Sequence, residues 1–307
     1  MDPIVVEATR GGVVEARHRA HGVAVREGEI VARAGDPALV AFFRSSAKPI
    51  QALPVVRARP DLDEAEIAIA CASHLHRPEQ LDPVRSLLAK APATEDELEC
   101  GTIGLDAGPT RLEHNCSGKH AAMLALCRAR GWPSEGYRLP EHPCQRTMLA
   151  EVAAAAEVDP EAIPTAADGC GVVTFALTLE RMAHAFSRLA SLDGGALVAA
   201  AMCAYPELIR GPLAADTMLM QACPGWVAKG GAEGLLCAAS PDGLGIALKV
   251  EDGNTRAVRS SLAAFLGQLG VGTGELGAVP VENSRGDVVG ELRPTSKLHL
   301  PQIEKSD

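Results

Sequence analysis

Hydrophobic and polar positions change period along the chain. Residues 3–36, PIVVEATRGGVVEARHRAHGVAVREGEIVARAGD, alternate short β-branched runs with glycine-containing turns, which is a strand pattern. Within it, GVAVREGEIVARAG has the make-up of a hairpin. Near the other end, GLLCAASPDGLGIALKVEDG sets two apolar runs around Pro241-Asp242-Gly243 and predicts a second hairpin. NTRAVRSSLAAFLGQLG has helical spacing, and GDVVGELR reads as a last short strand. Between these ends, AAMLALCRARGW, PCQRTMLAEVAAAAEV, VVTFALTLERMAHAFSRLASL and GGALVAAAMCAYPELI are rich in Ala, Leu and Met and read as helices. EIAIA, before CASHLH, reads as a strand or apolar turn. The pattern predicts an α+β fold: one antiparallel sheet built by both chain ends, with a helical lobe inserted between them. The approximate lobes are 1–45 with 225–307 for the sheet and 46–224 for the helices, within a single catalytic unit.

Composition narrows the function classes. The chain has 307 residues, 47% apolar and 22% charged, enough for a sizeable core. Aromatics are 3% and the net charge is -10, with no basic cluster, so nucleic acid and anionic membrane surfaces are not expected as partners. No apolar window is long enough to span a bilayer. The opening MDPIVVEATRGG has no basic segment before an apolar run, so a cytoplasmic location is expected. The 9 cysteines then read as buried thiols, metal ligands or reactive groups rather than a disulfide framework.

Four clusters carry candidate chemistry. In RSSAKPIQALP, Ser45 and Lys48 stand three apart, so a single helical turn would put them on one face. A serine needs a base to attack a carbonyl, and a lysine serves only if burial or a nearby cation lowers its pKa. Chance alone supplies about 0.3 such pairs in a chain of this make-up, so the motif by itself is weak. Pro49 disfavours helical geometry at Lys48 and predicts a helix starting at Pro49 after a tight turn. KGGAEG puts Lys229 beside Gly230 and Gly231, where a ligand could approach bare backbone; a turn with a solvated lysine is the plainer reading. Ser-x-x-Lys early and Lys-x-Gly late is nevertheless the layout of the penicillin-recognising serine hydrolases. HNCSGKH and DGCG gather His114, Cys116, Lys119 and His120 with Cys170 and Asp168, among glycines that could turn them inward. Thiolates with nitrogen donors suit zinc, although by spacing alone buried cysteines are the better reading, since no Cys-x-x-Cys pair is present. CASHLH adds Ser73 and His74, uninformative alone.

Taken together, TRGGVVEARHRAHGVAV, RSSAKPIQALP, ASH, HNCSGKHAAML, DGCGV, ADTMLM, VAKGGAEG and GIALKVEDGNTRA resemble the rhizobial-type, class 3 L-asparaginases of the asparaginase II family. The resemblance implies a serine β-lactamase/glutaminase-like fold and a homodimer acting on L-asparagine. Ser45 matches the nucleophile, Lys48 its base, Ser73 a second active-site serine and Lys229 its partner. Cys116, Lys119 and Cys170 match the ligands of a Zn2+ site. Asp168 matches a residue that holds the substrate's amino end, with Arg44, His74, Gly230 and Gly231 also expected at the substrate. Family members often carry a Gly-Glu pair soon after Ser-His, whereas Leu75, His76 and Arg77 follow here. Two other readings stand beside this one: a β-lactamase or transpeptidase-like serine hydrolase, and a non-catalytic scaffold that binds zinc or an amino acid.

Overall fold

The computed structural model describes residues 2–102 and 110–295. Both ends of this span enter one eight-stranded antiparallel sheet. Strands β1 (Ile4–Arg10), β2 (Val13–Arg26) and β3 (Glu29–Ala34) come first, and β4 (Val40–Phe42) leaves for a small second sheet. That sheet is completed by β5 (Thr165–Ala167) and β6 (Val173–Thr178). Then β7 (Val227–Gly230), β8 (Leu235–Ala239), β9 (Gly245–Val250), β10 (Val279–Glu282) and β11 (Val288–Pro294) return to the large sheet. Its order is β10-β11-β1-β2-β9-β8-β7, with β3 also paired to β2. Helices fill most of the chain between β4 and β7. The expected sheet lobe extends to 307, beyond the described residues.

The hairpins lie where the turn residues put them. Glu27 and Gly28, both at positive φ, turn β2 into β3, and Gly243 at φ 81° closes the β8–β9 turn. The middle of the sheet is covered on both faces. The β-carbon position of Gly22 looks at Phe265 of the helix Val258–Gln268. Gly245 pairs with Val25, so it faces the other way, onto the helix Leu179–Ser187. Burial on both faces explains why β8 and β9 are continuous apolar runs rather than alternating ones.

Two segments differ from the sequence reading. EIAIA lies in a helix, Glu64–Ala70, because Asp63 and Glu66 form a reciprocal capping box at its start. The front of VVTFALTLERMAHAFSRLASL is strand β6, and the helix begins only at Leu179, capped by the Thr178 side chain. A short apolar run buried on all sides has no period by which to tell strand from helix. Among the described residues no helix is long and apolar enough to cross a membrane.

Candidate active site

The Ser45 turn is built against two strands. Residues Arg44–Ala47 form a 3-10 turn that runs directly into the helix Lys48–Gln51. Lys48 is itself helical, at φ -56°, despite the following proline. Pro49 falls in the first turn, where its missing N–H has no intrahelical partner to lose. Arg44 takes a left-handed conformation at φ 49°, held by its N–H to Thr174 Oγ1 of β6 at 3.1 Å. A non-glycine residue there is strained, and the strain lies immediately before Ser45. Ser46 faces the core, and its hydroxyl donates to the Lys229 carbonyl at 2.8 Å, tying this turn to β7.

Lys48 is wholly buried, and its ammonium reaches Ser73 rather than Ser45. It donates to Ser73 Oγ at 3.0 Å and to the Ala72 carbonyl. No hydrogen bond joins Lys48 Nζ to Ser45 among the described residues, and Ser45 is half-buried with its hydroxyl unengaged. The Ser73 loop is fixed by its backbone: the Ser73 N–H donates to the Ile209 carbonyl at 2.7 Å and the His74 N–H to the Asn115 carbonyl at 3.2 Å. His76 in this loop sits at φ 50°, a conformation that favours glycine, at the place where the resembling family often has one nearby.

His74, expected at the substrate, is 1% exposed and has both ring nitrogens engaged. Nδ1 accepts the His76 N–H at 3.1 Å, so Nε2 carries the proton and donates to Ser117 Oγ at 2.8 Å. Burial, helped by the charge on Lys48, pushes this imidazole down to about 3 and keeps it neutral. It works as a strut between the Ser73 loop and the segment that carries Cys116. Cys71, next in this loop, is held up at about 12 by burial and stays a thiol.

Lys229 ends β7 with no exposed surface. Its ammonium donates to the Gly230 carbonyl at 2.6 Å and lies 3.6 Å from Asp216 Oδ2. Burial lowers it to about 7; Asp216 opposes the shift, while the charges of Lys48 and Arg210 add to it. A substantial neutral fraction therefore exists at neutral pH, which a general base requires. Asp216 also accepts the Gly230 N–H at 2.8 Å, so this N–H is already engaged. The Gly231 N–H donates to the Leu235 carbonyl at 2.7 Å. Neither amide of the pair is free to hold an oxyanion in this arrangement.

The third group comes from two distant segments. Lys119 Nζ donates to Cys170 Sγ at 3.1 Å and lies 4.0 Å from Asp168 Oδ2. The Cys170 thiol hydrogen-bonds the Cys116 sulfur, and that bond, with Lys48 and Lys119 nearby, holds Cys116 well below the ordinary thiol range. Cys170 is pushed up by the same bond and by burial. Cys116 also donates its backbone N–H to His114 Nδ1 at 3.0 Å. Gly118 serves close approach rather than a turn. It lies in the first turn of the helix Ser117–Arg130, and a β-carbon there would overlap the Ile69 carbonyl oxygen. The turn in DGCG is made by Gly171, at φ 86°.

Among the described residues no group of three or more His, Cys, Asp and Glu side chains is placed to hold a metal. Two sulfurs and one amine do converge, all within 4% exposure, and the Cys116 sulfur is held well below the ordinary thiol range. That donor set fits a soft divalent ion such as zinc, provided Lys119 gives up its proton. Asp168 is engaged with Arg44: its Oδ1 accepts from Arg44 Nε at 2.6 Å and from the Gly169 N–H at 2.8 Å. Its Oδ2 accepts from Cys170 Sγ at 3.9 Å and lies 4.0 Å from Lys119 Nζ.

Sequence reasoning missed Ser46, Ser117, Arg210 and Asp216. ADTMLM contains Asp216, but nothing local in that string shows that its carboxylate faces Lys229. A model of the family described as L-asparaginase II matches residues 6–294. No curated protein matches the chain.

Proposed function

The chain belongs to the L-asparaginase II family and is an amidohydrolase of the L-asparaginase type, and from this premise we propose that it hydrolyses the side-chain amide of L-asparagine through a serine acyl-enzyme. The observation that carries the reading is the pair of buried lysines on either side of one site: Lys48 bonded to Ser73 at 3.0 Å, and Lys229 held near neutrality. We read the fold as of the serine β-lactamase and glutaminase kind, the protein as a cytoplasmic homodimer, and the whole chain as one catalytic unit with a sheet lobe and a helical lobe.

Ser45 is the nucleophile. Its hydroxyl is the accessible one, on a turn strained at Arg44 and anchored by Ser46 to β7. Its proton passes to Lys48, which takes it in the neutral amine form and returns it to the leaving nitrogen, with Ser73 holding that amine in place. The oxygen attacks the amide carbon, and the tetrahedral oxyanion is stabilised by backbone donors of the Ser45 turn. The leaving nitrogen takes a proton and departs as ammonia. A water then gives its proton to the Ser73–Lys229 side, attacks the ester and releases aspartate. Asp168, oriented by Arg44, receives the substrate ammonium on Oδ2.

Zn2+ would be held by Cys116, Lys119 and Cys170, and it would supply a Lewis-acidic position that orients a polar substrate group. Lys119 and Cys170 also reach the Asp168 carboxylate, at 4.0 and 3.9 Å from Oδ2. A second reading is favoured by one contact: the lysine beside Ser45 in sequence bonds Ser73 in space, which would make Ser73 the nucleophile. Ammonia release from asparagine and glutamine, measured for wild type, Ser45→Ala and Ser73→Ala, separates the two. Ser45→Ala is expected to lose several orders of magnitude in kcat. A Ser45→Ala enzyme that keeps most of its turnover while Ser73→Ala loses it moves the role to Ser73. Wild type that releases no ammonia from either amide sinks the proposal.

A further inference from the structure

A cleft beyond the catalytic strand has a chemistry that amide hydrolysis leaves unused. It encloses about 310 Å3 against the backbone of Gly230 and Gly231. Arg210, Arg256 and Arg259 all line it. Among its described lining residues the one acid is Asp216, and both the Gly230 N–H and the Lys229 ammonium already engage its Oδ2.

The guanidinium groups retain unused donors. Each has five N–H bonds in a fixed plane. Arg259 uses Nε and Nη2 on the carbonyls of Leu276, Glu275 and Ala278. Arg256 uses only Nε, on His18 Nε2 at 2.9 Å. Arg210 makes no side-chain hydrogen bond or ion pair among the described residues; its Nη1 lies 3.6 Å from where a β-carbon would stand at Gly230. Three cations around one engaged carboxylate repel one another. The crowding is the more notable in a chain of net charge -10. Guanidinium pairs of this kind match the planar oxygens of carboxylate and phosphate.

We propose that this cleft binds a small dianion, a phosphate or a dicarboxylate, gripped by Arg210, Arg256 and Arg259. The volume, about 310 Å3, takes an ion of that size together with several waters. The floor of the site is the backbone that follows Lys229, so occupancy is registered on the strand that carries a catalytic lysine.

The test is calorimetric titration of the full-length protein with inorganic phosphate at fixed ionic strength. Wild type, Arg210→Met and Arg256→Met are compared, with thermal melts confirming that each is folded. Arg210 has no structural bond to lose, so its variant isolates the charge. Wild type is expected to bind one phosphate, weakened at least tenfold by Arg210→Met and several-fold by Arg256→Met. L-Aspartate is then added as competitor. Displacement identifies the dicarboxylate product as an occupant, and persistence of bound phosphate identifies an inorganic anion; either supports the site. Equal phosphate affinity in all three proteins, or no binding in wild type at about 10 mM, overturns it.

Discussion

Lys119 and Lys229 are buried almost equally, at 3% and 0% exposure, and the protein treats them in opposite ways. Burial alone would depress both. At Lys229 burial prevails: a single carboxylate faces it, the positive charges of Lys48 and Arg210 weigh on the other side, and it falls to about 7. At Lys119 burial is overcome by the Cys170–Cys116 pair and Asp168, and the ammonium is pushed up. Exposure does not tell a base from a structural cation inside a protein; the sign of the surroundings does. The Lys229 environment suits moving protons. The Lys119 environment suits holding a positive charge, which a metal ion could also supply.

The largest effect should come from removing each amine in turn. Lys229→Met is expected to lower kcat by about a thousandfold or more with the Michaelis constant little changed, as loss of a proton-transfer group does. Lys119→Met should raise the Michaelis constant more than it lowers kcat. Steady-state kinetics on asparagine decide, and the same pattern in both variants would erase the distinction.

Metal binding gives the next effect. If zinc replaces the Lys119 proton, affinity must rise with pH, since a protonated ligand competes with the metal. Competition against a chromophoric chelator at several pH values should show this, with at least about a hundredfold weaker binding in Lys119→Met and Cys116→Ser. Chelation of the wild type should weaken substrate binding more than turnover. A collapsed kcat with an unchanged Michaelis constant would contradict an orienting role for the metal.

A smaller shift tests Asp216. Its carboxylate opposes the depression of Lys229, so Asp216→Asn should lower that pKa further. A base is active when neutral, so kcat, which includes the deacylation step, should rise with pH through a limb near pH 7 in wild type. In the variant that limb should lie about one unit lower. An upward shift would reverse the assignment of charges around Lys229. The smallest effect belongs to exposed pairs that lack such surroundings. Breaking Arg10–Glu15, at 3.2 Å on the surface, should cost less than about 1 kcal/mol in a denaturant titration.

Much of this was legible from residue order. The hairpins around Gly28 and Gly243 and the helix Ser117–Arg130 follow from turn residues and spacing that act over a few positions. Cys116, Lys119 and Cys170 were grouped by the family resemblance, since spacing alone favoured buried cysteines, and Lys119 does meet Cys170 across an interval of 51 residues. EIAIA and VVTFALT were misread because each is too short and too uniformly apolar to show a period.

The chain by itself determined where it turns, which stretches can pair as strands, and which nucleophiles and amines it has available. Tertiary structure decided which of them meet. It set Lys48 against Ser73 instead of Ser45, locked His74 onto Ser117, and brought Asp216 to Lys229 across 3.6 Å. Hydrogen bonds and electric fields act through distances in space, and a base-competent lysine is made by neighbours that lie far away along the chain.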